Sequence, residues 1–435
     1  MKVVFITPVT PYKENMGGPS GHPYHLMIER PEKIDIVIYS YNNNHLSDAV
    51  IREVEQELRV EIRLLNQPIW LKWILKLHLT FIRLLLKYPI NYYIRLSSKQ
   101  VAEIESLNPD LVWGYCQEFS GILKQFKSYR RLHTVPDCYT LHFYRRLGRR
   151  QTLSDVKEYW RVLTNYGKHY RMERDYDDSD NIFYHLVGEE DKNFLLEINP
   201  KLKAEFIRHP LYQGKEERGE RREKRKFHQP KIKVLIAGRY DLYMKQSADE
   251  LIEFICRYED ETFHYENDSY CRGFLQEHYS ITFLGKGWEK HVERMRQAGY
   301  EVEHITFAPD YIEEICKHDI QITPIAIGTG TKGKVLDALA NGLLVIGTPY
   351  ALENIAVEHG KSCIVYEKPQ EVVDVLMDIV NGNLNEKYEY EKYEKYENNN
   401  NIGNVEKYER IAEAGRQAVL KWHDRMLIAQ QLFGL

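Results

Sequence analysis

Residues 328–342 read Gly-Thr-Gly-Thr-Lys-Gly-Lys-Val-Leu-Asp-Ala-Leu-Ala-Asn-Gly and hold the densest chemistry in the chain. Ile320–Pro324 before them reads as a strand. Gly328–Lys332 would turn the chain into a helix running to about Ala340 and ended by Asn341-Gly342. Glycines at such a turn let a ligand approach the backbone closely, and the free amides and positive dipole end of the helix favour a phosphate. Lys332 and Lys334 place two cations in the first turn, where a bound anion would compensate them. At about 100° per residue, Gly330, Lys334, Asp337 and Asn341 share one face. The Asp337 carboxylate would then lie about a turn and a half below the phosphates, placed to accept hydrogen bonds from ribose hydroxyls. The competing reading is a solvent-facing helix with ordinary charges.

Gly328–Gly333 also matches GxGxxG, the dinucleotide fingerprint. That fingerprint normally follows the first strand of its domain, with an acid at the tip of the next strand. Here it follows a third or fourth strand, and Leu343–Ile346 runs into Gly347-Thr-Pro with no acid, which argues against hydride transfer. Asp137 ends the strand Leu132–Val135 and could position or deprotonate an acceptor hydroxyl. It could equally cap the next helix. Glu118 and His142 are weaker alternatives. His22 and His25 read as residues at a helix start, since no further ligands accompany them to make a metal site. Asp175-Tyr-Asp-Asp178 reads as a helix end or loop.

Short apolar runs alternating with helical stretches position these residues, and they imply parallel sheets wrapped by helices. In the first half the strands are Val3–Thr7, Ile34–Tyr39, Leu111–Tyr115, Leu132–Val135 and Ile182–Leu186. The pattern restarts with Val234–Ala237, Thr282–Leu284, Ile320–Pro324, Leu343–Ile346 and Ile364–Tyr366. The expected organisation is a first domain over 1–212, a linker over 213–229 and a second domain over 230–410. Low complexity over 385–401 marks an insertion, and a C-terminal helix over 411–435 would complete the first domain.

The run GTGTKGKVLDALANGLLVIGTP resembles the donor-binding helix of family 4 and related glycosyltransferases (glycosyltransferase group 1, in the GxGxKxKVLEA variant). The similarity extends over most of the chain and is strongest at 230–380. It implies an α/β fold of two Rossmann-like, doubly wound parallel-sheet domains facing a cleft (GT-B). Gly238-Arg239 followed by Lys245 is similar to the family's diphosphate-binding signature. The resemblance therefore assigns Arg239, Lys245, Lys332 and Lys334 as the clamp on the leaving group. Met16-Gly17-Gly18 resembles the family's glycine loop, and Glu353 stands where the family often has a Glu-Gly-Ile turn near the donor. The implied donor residues are Gly17, Gly18, Gly238, Gly328, Thr329, Gly330, Thr331, Lys332, Lys334, Asp337 and Glu353; the candidate catalytic groups are Asp137, Arg239 and Lys245. The family's paired glutamates fall on Thr329, which is not acidic, and on Asp337, one methylene shorter. The resemblance also implies retention of anomeric configuration, with a UDP- or GDP-sugar as substrate, no bound cofactor and no metal.

Composition sets the remaining bounds. The chain has 435 residues, 43% hydrophobic and 29% charged, with a net charge of −4, so it offers no global basic field for nucleic acid. Six scattered cysteines without CxxC spacing suit reduced thiols in the cytoplasm. A strand starts at Met1 with no cleavage region, so export is not expected. Residues 69–88 are too often charged for a membrane span. As one helix they would carry Lys72, Lys76, Arg83 and Lys87 in a narrow stripe on an apolar body, which suits contact with an anionic membrane or packing on the first sheet. The expected acceptor is a saccharide or a lipid-linked glycan in surface polysaccharide biosynthesis, handled in the cytoplasm or on the inner face of the membrane. Alternatives are a non-catalytic nucleotide-sugar-binding partner and a nucleotide-sugar 2-epimerase.

Overall fold

The computed structural model describes residues 1–15, 19–77, 79, 81–148, 156–213, 227, 231–258, 273–392 and 404–434. Gly17, Gly18, nearly all of the expected linker and residues 393–401 lie outside the described residues. The chain forms two compact units: 1–212 with 329–331 and 423–435, and 213–328 with 332–422.

The first unit is built on seven strands: β1 (Lys2–Thr7), β2 (Asp35–Ser40), β3 (Glu61–Leu64), β4 (Leu111–Tyr115), β5 (Arg131–Thr134), β6 (Ile182–Leu186) and β7 (Ala204–Phe206). They form one sheet in the order β3-β2-β1-β4-β5-β6-β7, and every pairing is parallel. The second unit has β8 (Ile232–Ala237), β9 (Tyr279–Leu284), β10 (Glu301–Ile305), β11 (Ile320–Thr323), β12 (Leu344–Gly347) and β13 (Ile364–Val365). Its order is β10-β9-β8-β11-β12-β13, again all parallel. Helices cover both faces of a parallel sheet, so its central strands are apolar in continuous runs. In β1 and β4 every residue from Val3 and Leu111 onward is buried.

Both sheets show the two-way winding expected of the fold. Each starts in the middle, proceeds to one side, then returns to the other side of its first strand. The reversal falls between β1 and β4 in the first unit and between β8 and β11 in the second. In open α/β sheets the crevice beyond the carboxyl ends of the strands at such a reversal is where ligands bind.

Three strands were not expected: β3, β7 and β10, reading Glu-Ile-Arg-Leu, Ala-Glu-Phe and Glu-Val-Glu-His-Ile. Each is the outermost strand of its sheet, half-exposed, and so lacks an apolar run. Residues 69–88 do not form one helix. The helix Ile69–Lys76 ends where Leu79 N–H bonds the carbonyl of Ile74, five residues back, and a separate turn covers Ile82–Leu85. The four cations therefore do not make one helical stripe, and Lys87 is paired with Asp175 at 2.8 Å. Residues 411–435 contain the end of one helix, Asn404–Trp422, and a second, Arg425–Gly434. Trp422 is half-exposed, with the Lys421 ammonium 4.6 Å from its ring centre.

Candidate active site

In the second unit, β8 runs into Gly238 at φ +137°, then Arg239, and the next helix opens at Lys245. The backbone of this loop is fixed by its neighbour. Gly238 N–H donates to Leu284 O at 2.9 Å, Tyr240 N–H to Lys286 O at 2.9 Å, and buried Trp288 Nε1–H to Gly238 O at 2.7 Å. Gly285, at φ +142°, lies so close that a β-carbon there would stand 2.2 Å from Gly238 O. The consequence is a rigid loop that leaves the Arg239 and Lys245 side chains exposed.

Across the reversal, the loop after β11 is tied to this one. Ala326 N–H and Ile327 N–H both donate to the Tyr243 carbonyl, at 2.7 and 3.3 Å. The loop after β12 is tied in turn, because Thr348 Oγ1 donates to Ile325 O at 2.6 Å and also caps the short helix Pro349–Leu352. Glu353 follows that helix and is half-buried. Three loops at the carboxyl edge of one sheet thus carry Arg239, Lys245, Lys332, Lys334 and Glu353.

The helix after β11 is Gly333–Ala340, with Lys332 at its N-cap and Gly342 in the left-handed region at its end. It buries Val335, Leu336, Ala338, Leu339 and Ala340, which holds the opposite face outward. Lys332 contributes no side-chain cap, so the amides of Gly333 and Lys334 face out of the helix start. Its own side chain folds back over Gly328, close to where a β-carbon would be. The Lys334 ammonium lies 5.4 Å from the centre of the Tyr311 ring. Burial lowers the Lys334 pKa, opposed by the charges of Asp337 and Asp241. Burial likewise pushes the Asp337 carboxyl up to about 7, against the pull of Lys334. The Tyr311 hydroxyl is buried without a hydrogen-bond partner among the described residues, and burial and Asp337 both raise its pKa. Sequence reasoning missed Tyr311, which opens the short helix Tyr311–Ile315 between β10 and β11; no local pattern marks it.

Thr329–Thr331 group with the first unit. Gly330, at φ +62°, donates its N–H to Asp191 Oδ2 at 3.1 Å, and Thr331 Oγ1 donates to Val187 O at 3.1 Å. Thr329 Oγ1 is 3.5 Å from His142 Nδ1. Asp137 sits beside Gly330, its Oδ1 2.0 Å from where a β-carbon on that glycine would be. The helix after Asp137, Tyr139–Leu147, is capped by two buried acids from elsewhere. Asp191 Oδ1 accepts from Cys138 N–H at 2.8 Å, and Glu173 accepts from the amides of Tyr139 and Thr140 at 2.9 and 3.1 Å. Capping therefore falls to Asp191 and Glu173, neither of which stood out in the sequence. Burial, outweighing these hydrogen bonds, pushes the Glu173 carboxyl up to about 7.

The remaining candidates have structural partners. Glu118 accepts from Asn91 Nδ2 at 2.6 Å, and burial raises its pKa. Asp177 pairs with buried Arg131 at 2.8 Å, and Asp175 accepts from Lys87, Tyr88 and Arg174. His22 Nδ1 meets Tyr115 Oη at 3.0 Å and its ring stacks on His209; His25 Nε2 meets Lys13 O at 2.9 Å and its ring stacks on Tyr212. Among the described residues, no group of three or more His, Cys, Asp or Glu side chains could hold a metal.

Residues 269–381 match the family model described as glycosyl transferases group 1, a span that takes in β9 to β13 and the Gly333–Ala340 helix. With its two parallel sheets the chain has the GT-B fold, and this region of it is similar to glycosyl transferases group 1. Similar solved structures agree on the fold. HepE from Anabaena, in complex with UDP-glucose, aligns over 100% of this chain and 98% of its own at 13% identity and a TM-score of 0.55. Sucrose-phosphate synthase from Thermosynechococcus elongatus aligns over 100% and 98% at 10% identity, with a TM-score of 0.58. WaaG, a glycosyltransferase involved in lipopolysaccharide biosynthesis, aligns over 99% and 100% at 11% identity, with a TM-score of 0.55. No curated protein sequence matches the chain.

Proposed function

We propose that this protein is a glycosyltransferase that moves a sugar from a UDP- or GDP-sugar to a saccharide or lipid-linked glycan acceptor, in surface polysaccharide biosynthesis. The observation that carries the reading is the joining of the loops after β8 and β11 by the Tyr243 carbonyl, with four cations and the Gly333–Ala340 helix start beside them. Arg239, Lys245, Lys332 and Lys334, with the amides of Gly333 and Lys334, would stabilise the charge that builds on the departing diphosphate. Asp337 would accept from the ribose hydroxyls, and Glu353 would lie near the donor. Gly238, Gly328, Thr329, Gly330 and Thr331 would shape the backbone against it, and the family resemblance adds Gly17 and Gly18 to the donor residues. The second unit would then be the donor side and the first the acceptor side, with Asp137 orienting the acceptor hydroxyl. The cations take the part a divalent metal plays in other transferases, so transfer would be metal-independent, and retention of configuration follows the family resemblance. The UDP-glucose held by HepE makes UDP-sugars the first donors to try, and the role of WaaG in lipopolysaccharide assembly supports a cell-surface glycan.

The test is thermal stabilisation by a panel of uridine and guanosine diphosphate sugars with chelator present, followed by donor hydrolysis without acceptor. One nucleotide should stabilise the protein, and Lys334→Ala and Asp337→Ala should weaken the effect. Stabilisation without hydrolysis or transfer would point to a binding partner, and an altered sugar on the nucleotide to an epimerase. No stabilisation by any member would overturn the reading.

A further inference from the structure

The first unit carries a surface that neither the fold nor the donor site uses. Ile69, Trp73, Leu77, Phe81, Leu84 and Leu85 are all more than half exposed, Leu85 at 81%. They fall within 17 consecutive residues and outnumber the large apolar side chains that are equally exposed in all the rest of the described chain. Packing does not require them. In the helix Ile69–Lys76, buried Leu71 and half-buried Ile74 already make the contact with the core, as Leu86 and Tyr88 do further on. On the other side of that helix Ile69 and Trp73 project together, and Lys72 and Lys76 flank them on one edge. The Lys76 ammonium sits 5.5 Å from the Trp73 ring centre. Arg83 is exposed beside Leu84 and Leu85. From residue 62 to residue 102 the sequence contains no Asp or Glu at all.

We propose that this face docks on an anionic lipid surface, with Trp73, Leu77, Phe81, Leu84 and Leu85 entering the headgroup–acyl boundary and Lys72, Lys76 and Arg83 meeting the lipid phosphates. The chemistry selects this occupant. A tryptophan with leucines and a phenylalanine suits the interface, cations beside them suit acidic headgroups, and the missing acids remove repulsion. No helix among the described residues is long and apolar enough to cross a membrane, so this face lies on the bilayer. The proposal rests on the transfer reading only for the purpose of the surface, which is to bring the enzyme to an acceptor carried by lipid.

The test is flotation of the full chain with phosphatidylcholine vesicles, with and without phosphatidylglycerol. The wild type should float with the anionic vesicles only. The triple variant Trp73→Ser, Leu77→Ser, Leu85→Ser and the double variant Lys72→Glu, Lys76→Glu should each lower the bound fraction by roughly tenfold or more. High salt should reproduce the double variant. Both variants should keep the wild-type melting temperature, since the altered side chains are exposed. Failure of the wild type to float, or unchanged flotation of the triple variant, overturns the proposal. So does a wild-type dimer that the triple variant turns into monomers, which would assign the face to a second copy. Donor hydrolysis in solution separates the two readings. Hydrolysis without flotation sinks the lipid surface alone, and flotation without hydrolysis counts against the transfer reading alone.

Discussion

Asp337→Asn should make the protein more stable and a worse binder at once. In the folded chain burial holds this carboxyl at about 7, whereas an aspartate in an unfolded chain titrates near its ordinary value of 3.8. Below pH 4 both states carry the proton and burial costs nothing. Between pH 4 and 7 the folded state retains a proton that the unfolded state has lost, so stability falls as pH rises; above 7 the loss is complete. The difference between 3.8 and about 7 sets a ceiling of about 4 kcal/mol, and partial access of water brings the expectation to about 1–4 kcal/mol. Asparagine keeps the shape and never ionises. Urea denaturation at pH 5, 6.5 and 8 should therefore show the variant gaining on the wild type as pH rises. Nucleotide-induced stabilisation at pH 8 should shrink in the same protein, because asparagine accepts a ribose hydroxyl less strongly than a carboxylate does. A stability difference that stays flat from pH 5 to 8 would refute the burial argument. Undiminished nucleotide stabilisation would remove Asp337 from the donor site.

Gly285→Ala should cost at least about 2 kcal/mol, since its φ of +142° is strained for alanine and its β-carbon would strike Gly238 O. Nucleotide stabilisation should fall with it, because Gly238 carries Arg239; wild-type behaviour in both assays would contradict the rigid-loop account. Glu173→Ala would remove the acceptor that the Tyr139 and Thr140 amides share, at a cost of about 2–4 kcal/mol readable in a urea melt. Acid should unfold the first unit. Burial lowers the pKa of His25 and His423 to about 3 and of His185 and His209 to about 4, and it holds His22 well down too. These groups lend stability that is full above the unfolded pKa near 6.5 and is lost as pH falls towards the folded values. A urea midpoint that holds steady from pH 7 to 4.5 would count against it.

What could be read from the sequence was local or doubly buried. Central strands such as β1, β4 and β11 are covered on both faces, so burial writes itself as an uninterrupted apolar run. β3, β7 and β10 are covered on fewer sides, and their charges hide them. The helix Gly333–Ala340 was legible because its glycines, lysines and closing Asn341-Gly342 are neighbours in the chain. Tyr311 was not, because it opens a different helix, Tyr311–Ile315, and only the fold brings that helix beside Lys334. Asp191 and Glu173 sit on helices among other charges, and nothing nearby distinguishes a buried carboxylate from a solvated one. Along residues 69–88 the periodicity was real but read as one helix. Sequence spacing does not encode the change to an i−5 bond at Leu79.

The helix Arg425–Gly434 belongs to the unit that the chain begins. Its Ile428 and Leu432 lie in the same buried cluster as Phe5 and Trp113, and Phe433 meets the Trp113 ring edge-on at 5.7 Å. During synthesis the strands of the first sheet emerge early, yet one wall of their core is made some 200 residues after β7 leaves the ribosome. Until then Trp113 and its neighbours lack that cover. The first unit to be translated is thus the last to be finished, and a chain cut off near residue 422 would fail in the unit furthest from the cut in sequence.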